Sequence, residues 1–163
     1  MNAALPRTLE PIPLVPPNPE RRDGGWLAGW ERRDFLELGA HDTAPATARG
    51  VLRERLPLWG LRHLVEPAEL VATELITNSC HATRQYVQGP RLPPVRVWLL
   101  GADAAVAVLV WDDVPHPPVP GEAELMDESG RGLSIVAALS ARWGFWFPAT
   151  PFTGKVTMAV IGS

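Results

Sequence analysis

Apolar and polar residues alternate with period two from residue 33. There Arg33-Asp34-Phe35-Leu36-Glu37-Leu38 reads as a strand, and the folded domain is expected to span residues 30–163. The period then lengthens to that of a helix. Val51, Leu52 and Leu56 form an apolar stripe, while Arg49 and Arg53 fall four apart on another face. Asp42-Thr43-Ala44-Pro45 marks the start of this helix, with a capping side chain and a proline in the first turn, and Pro57 and Gly60 mark its end. A second helix opens at Glu66-Pro67-Ala68-Glu69, with acids near the positive end of its dipole. Its apolar side carries Leu70, Val71, Leu75 and Ile76, and it runs to about Arg84.

Beyond a loop marked by Gly89, Pro90, Pro93 and Pro94, residues 95–100 and 104–112 read as two strongly apolar strands of a hairpin turning at Gly101-Ala102-Asp103. A sheet built from such strands is covered on at least one face. A proline-studded stretch over 114–128 is too long for a plain connection, and loops of that length are usually functional or mobile. An apolar helix follows over 133–141. Strands at 143–147 and 155–161 come last, joined by a turn containing Pro148, Pro151 and Gly154. Helices interleaved with a mixed, mostly antiparallel sheet predict an α+β two-layer sandwich.

Composition narrows the class. The chain has 163 residues, enough for one domain of roughly 100–200 residues. Pro6, Pro11, Pro13, Pro16, Pro17 and Pro19 forbid a regular helix or central strand near the start, so residues 1–29 are expected to form a disordered, polyproline-like tail. The longest uncharged apolar run, residues 104–111, is far below the ~18 residues of a membrane helix, so no membrane association is expected. One cysteine, Cys80, excludes an internal disulfide, and the start of the chain lacks the order of a secretion signal. A cytoplasmic protein is the expectation. The net charge of −3 argues against a broad nucleic-acid surface.

Three features can carry chemistry. Glu74, Asn78 and His81 stand at i, i+4 and i+7, along one stripe of the second helix. A carboxamide oxygen there suits Mg²⁺, and a neighbouring carboxylate can accept a proton from an attacking hydroxyl. Asp112 ends an apolar strand, a position suited to accepting a hydrogen bond from a purine amino group. Ser129-Gly130-Arg131-Gly132-Leu133 precedes a helix, where glycines let backbone approach a ligand, free amides attract phosphate, and Arg131 adds a charged donor. Taken singly, each has a plainer reading: a solvated helix face, a strand ending in a turn, a routine glycine turn.

Their order joins them. Residues 70–82, Leu-Val-Ala-Thr-Glu-Leu-Ile-Thr-Asn-Ser-Cys-His-Ala, closely resemble the N-box of GHKL-type ATPases in the form used by anti-sigma-factor serine kinases. Asp112 stands where that family's first glycine box has its adenine-reading aspartate. Gly130-Arg131-Gly132-Leu133-Ser134-Ile135-Val136 looks like the second box, and Gly154-Lys155-Val156-Thr157 like the final strand motif. Trp143-Gly144 also suits the short stand-alone actinobacterial proteins of this branch. The resemblance covers about residues 33–161 and implies a Bergerat-type sandwich binding ATP between helices and a lid.

By that resemblance Asn78 coordinates Mg²⁺ and Asp112 reads adenine. Gly130 and Gly132 hinge the lid and donate amides to phosphate, with Arg131 and Leu133 in the same box. Glu74 is the base that activates a serine or threonine hydroxyl on a partner, and His81 supports the ATP site. Arg49 matches a region used for contacts with the protein partner or with phosphate. A sigma factor and an anti-sigma-factor antagonist are the implied partners, and a homodimer the implied assembly. Two departures stand out. Asp113-Val114-Pro115-His116-Pro117-Pro118 replaces the usual glycines. A threonine common in the final motif falls on Val156, with Thr157 one place later and so on the other face of the strand. These departures keep open a second function, a binding module of the same fold that sequesters a partner with weak or absent ATP binding. A sensor histidine kinase is disfavoured, because about thirty residues before the first strand are too few for ~30 Å dimerisation helices.

Overall fold

The computed structural model describes residues 29–118, 132–148 and 152–163. Five strands form one sheet: β1 (Arg32–Leu38), β2 (Val95–Gly101), β3 (Ala105–Asp112), β4 (Arg142–Trp146) and β5 (Lys155–Gly162). Three helices accompany it: α1 (Ala44–Leu58), α2 (Val65–Tyr86) and α3 (Gly132–Leu139), with a 3-10 turn over Arg62–Leu64 that the sequence pattern did not signal. The strand order is β1-β2-β3-β5-β4. All four pairings are antiparallel, so the sheet of the described residues is purely antiparallel where a mixed, mostly antiparallel one was expected. The α+β two-layer arrangement stands. The expected tail over residues 1–29, apart from Gly29, and most of the loop over 114–128 lie outside the described residues.

Periodicity assigns the layers. Val95, Val97 and Leu99 of β2, Val106, Val108 and Val110 of β3, and Ala159 and Ile161 of β5 share one cluster with Leu52 and Leu56 of α1 and Val71, Leu75 and Ile76 of α2. The intervening positions, Trp98, Leu100, Ala107, Leu109, Trp111, Val156 and Val160, form a second cluster with Trp30 on the other face. Both faces of the central strands are therefore buried, which is why β2 and β3 read as apolar runs rather than alternations. Within α2, Leu70 departs from its expected place on the apolar side: it is 47% exposed, while Val71, Leu75 and Ile76 are buried.

Helix ends hold three corrections. At the start of α1, Thr43 makes no side-chain cap. The Asp42 carboxylate instead meets Arg84 Nη2 of α2 at 3.0 Å. At the other end, Pro57 lies inside the helix. The stop is made by Gly60, whose φ of 77° lets Leu61 N–H donate to Leu56 O at 2.8 Å and Gly60 N–H to Pro57 O at 3.1 Å. That is the Schellman arrangement, which favours glycine for its left-handed residue. Helix α3 ends two residues before the expected 141, because Ala141 N–H donates to Val160 O of β5 at 2.8 Å and draws the chain into the sheet.

Candidate functional site

Strand alternation decides where Asp112 points. It shares parity with Val106, Val108 and Val110, so its side chain lies on the helix-facing side of β3, and it is 0% exposed. A carboxylate there demands partners. Ser79 of α2 donates Oγ–H to Oδ2 at 2.6 Å. Lys155 Nζ donates to Oδ1 at 2.8 Å and to Val114 O at 3.4 Å, and Val114 N–H donates to Oδ1 at 3.1 Å. Lys155 lies directly opposite Asp112 in the β3–β5 register and is itself buried. Burial pushes the Asp112 carboxyl above its ordinary value, opposed by the Lys155 charge and by the bonds from Lys155, Ser79 and Val114.

The turn entering β5 holds this corner closed. Gly154 has φ 76°, and a Cβ added to it would stand 1.9 Å from the Asp112 carbonyl oxygen. Only glycine permits that approach. Trp111 Nε1–H donates to Thr153 O at 2.8 Å, and Thr153 Oγ1 bonds Asp113 Oδ1. Thr157, buried on β5, pairs with Val110 and shares the helix-facing parity of Lys155, Ala159 and Ile161. Val156 packs in the cluster on the opposite face. The strand face that carries Asp112 therefore carries Thr157 too.

A second carboxylate stands on the same helix as Ser79. Glu74 is half-buried and makes no hydrogen bond or ion pair among the described residues; burial raises its pKa above the ordinary 4.5. Its side chain lies against the first residue of α3. A Cβ on Gly132 would meet Glu74 Oε2 at 2.4 Å, so the absence of a side chain at 132 makes room for the carboxylate. Asn78 is half-buried one turn further along, and His81 beyond it is exposed. Arg49 donates from Nη1 to Thr73 Oγ1 at 3.1 Å, and Arg53 pairs with Glu69 at 2.5 Å, so these two arginines of α1 reach across to α2 just before Glu74.

The predicted residues thus divide. Glu74 and Gly132 touch, with Leu133, half-buried, next to them. Asp112 and Thr157 share a face of the sheet, and Arg49 sits beside the residue preceding Glu74. Gly130 and Arg131 lie outside the described residues. Ser79 and Lys155, the two side-chain partners of Asp112, had no role in the sequence reading beyond membership of a motif. Their signals were a hydroxyl on the apolar stripe of α2 and a lysine in phase with Thr157, Ala159 and Ile161.

Among the described residues no three His, Cys, Asp or Glu side chains gather as a metal site. Asn78 offers one hard oxygen, which suits an ion such as Mg²⁺ whose remaining ligands are phosphate oxygens and water. Cys80, next to Ser79, is buried and its thiol is pushed up to about 11, which keeps it out of nucleophilic chemistry. No helix among the described residues is long and apolar enough to cross a membrane. No protein-family model matches the chain, and no curated protein matches its sequence.

Proposed function

We propose that the chain is an ATP-binding regulatory protein of the GHKL type, with a Bergerat-type fold, that phosphorylates a serine or threonine of an anti-sigma-factor antagonist. The observation that carries this reading is the Ser79–Asp112 hydrogen bond. Ser79 follows Asn78 directly, so one turn of α2 ties the purine-reading candidate on β3 to the stripe bearing Glu74 and Asn78. A nucleotide lying along that turn has its base toward Asp112 and Thr157 and its phosphates toward Asn78 and the start of α3 at Gly132 and Leu133; by the resemblance, Gly130 and Arg131 serve the same phosphates. When bound, Mg²⁺ neutralises phosphate charge, and Asn78 is the side chain to hold it.

Glu74 supplies the proton acceptor. Half-burial raises its pKa toward the working range of a general base while leaving it reachable by a hydroxyl. In transfer, the acceptor oxygen bonds the γ-phosphorus, the bond to the β-phosphate oxygen breaks, ADP leaves, and the hydroxyl proton passes to Glu74. Such a reaction needs positioning and charge placement more than covalent work from the protein. Arg49, hydrogen-bonded to Thr73 of α2, is assigned in this reading to contact with the protein partner or with phosphate. A sigma factor, an antagonist, a cytoplasmic setting and a homodimer belong to the same proposal.

A second reading is favoured by one observation: the Asp112 carboxylate already accepts from Lys155, Val114 and Ser79. In that reading the chain is a binding module that sequesters a partner with little or no nucleotide. Isothermal titration with ATP and Mg²⁺ separates the two. Binding that weakens about tenfold to a hundredfold in Asp112→Asn, the worth of one charge-assisted hydrogen bond, supports the nucleotide reading. No heat from either protein, with partner capture retained, selects the module. Undiminished phosphoryl transfer by Glu74→Gln would remove Glu74 as the base.

A further inference from the structure

The buried ammonium of Lys155 has no part in the proposed chemistry, yet it occupies the point at which that chemistry recognises a base. An ionised carboxylate offers about four acceptor positions. On Asp112, Oδ1 accepts from Lys155 Nζ and Val114 N–H, and Oδ2 accepts from Ser79 Oγ–H, which leaves one position on Oδ2. The 2.8 Å contact from Lys155 is that of a nitrogen donor on a carboxylate oxygen, the geometry a purine amino group would itself adopt. The donor is charged, so it holds the oxygen more strongly than a neutral amino group. It is also prepaid in position: Lys155 is fixed opposite Asp112 by the β3–β5 register and tethered a second time at Val114 O.

We infer that Lys155 is an internal stand-in for the purine amino group, an affinity-setting residue that a nucleotide must displace from Asp112 or share it with. The inference rests on the nucleotide reading above and deepens it: it states why Asp112 is sealed and what sets the affinity. A surplus of charge explains the sealing. Asp112 alone would be a buried, uncompensated anion; with Lys155 the corner is neutral, and the incoming amino group meets a carboxylate already engaged in an ion pair, to be shared at the one position left on Oδ2 or won by displacing Lys155. Removing the ammonium turns the adenine amino group from competitor into the donor that Asp112 lacks.

The test uses the full chain as wild type, Lys155→Met and Lys155→Gln. Each protein is titrated calorimetrically with ATP and with inosine triphosphate, which lacks the amino group, in the presence of Mg²⁺, and its unfolding temperature is read with and without nucleotide. The account expects Lys155→Met to unfold at lower temperature when free. It also expects the variant to bind ATP about tenfold more tightly than wild type and to show a larger rise in unfolding temperature with ATP. The gain should be absent with inosine triphosphate. Lys155→Gln keeps a neutral donor and decides the matter if the methionine variant does not fold. ATP binding by wild type with equal or weaker binding by the variants overturns this inference alone. No ATP binding by any of the three overturns the nucleotide reading and this inference with it.

Discussion

Two carboxylates, one on the helix-facing side of the sheet and one on a helix, stand under opposite regimes. Asp112, at the end of β3, is fully buried and held by Ser79, Lys155 and Val114. Glu74, on α2, is half-buried, leans on a glycine, and has no polar partner among the described residues. Burial raises the pKa of both. The difference lies in what opposes it. Every group around Asp112 fixes that carboxylate in place, which suits recognition; nothing among the described residues around Glu74 competes for its lone pairs, which suits proton transfer. A partnered acid is a fixed feature of the fold, and an unpartnered one is available for chemistry.

The contrast breaks most completely at Gly154. Gly154→Ala puts a methyl 1.9 Å from the Asp112 carbonyl oxygen at a φ of 76°, a clash with backbone that no side chain can relieve. A loss of at least about 2–3 kcal/mol is expected in urea unfolding, with the Asp112 corner disrupted first. Ser79→Ala removes one hydrogen bond to a charged, buried group and should cost about 1.5–3 kcal/mol by the same measurement. The matching change at the open site is far milder. Gly132→Ala meets only the far end of the Glu74 side chain, so stability should move by less than about 1 kcal/mol. The added methyl pushes the carboxylate toward water, and the Glu74 pKa should fall back toward 4.5 in a carboxyl NMR titration.

The smallest expected effect is on pH dependence. An acid whose pKa is raised by folding binds its proton more readily in the folded state, so stability falls as pH rises from the ordinary carboxylate value through the folded one. For Asp112 that window opens near 3.8 and for Glu74 near 4.5, each extending upward. Glu74→Gln should flatten the fall above its opening value and leave the Asp112 contribution in place, read as unfolding midpoints across pH 4–7. A slope unchanged by Glu74→Gln would place Glu74 in water rather than against Gly132.

Much of this was legible in the sequence, for stated reasons. The order of strands and helices followed from periodicity, and the Glu74–Asn78 stripe followed from helical spacing alone. The face of Thr157 did not, because both parities of β3 and β5 are apolar and two buried faces erase the signal that tells inside from outside. Ser79 and Lys155 were missed as partners of Asp112 because they meet it across 33 and 43 residues of chain, beyond any local spacing rule. Pro57 as a helix stop failed for a different reason: it stands within the last turn, one residue before the end of α1, and the left-handed Gly60 ends the helix.

The central claim, that the Glu74–Asn78 stripe and Asp112 serve one nucleotide, is tested most directly by amide NMR of the full chain titrated with a non-hydrolysable ATP analogue and Mg²⁺. The account predicts that the amides of Glu74, Asn78, Asp112, Gly132 and Thr157 shift together along one binding curve. Shifts confined to other surfaces, or none at saturating analogue, would contradict it.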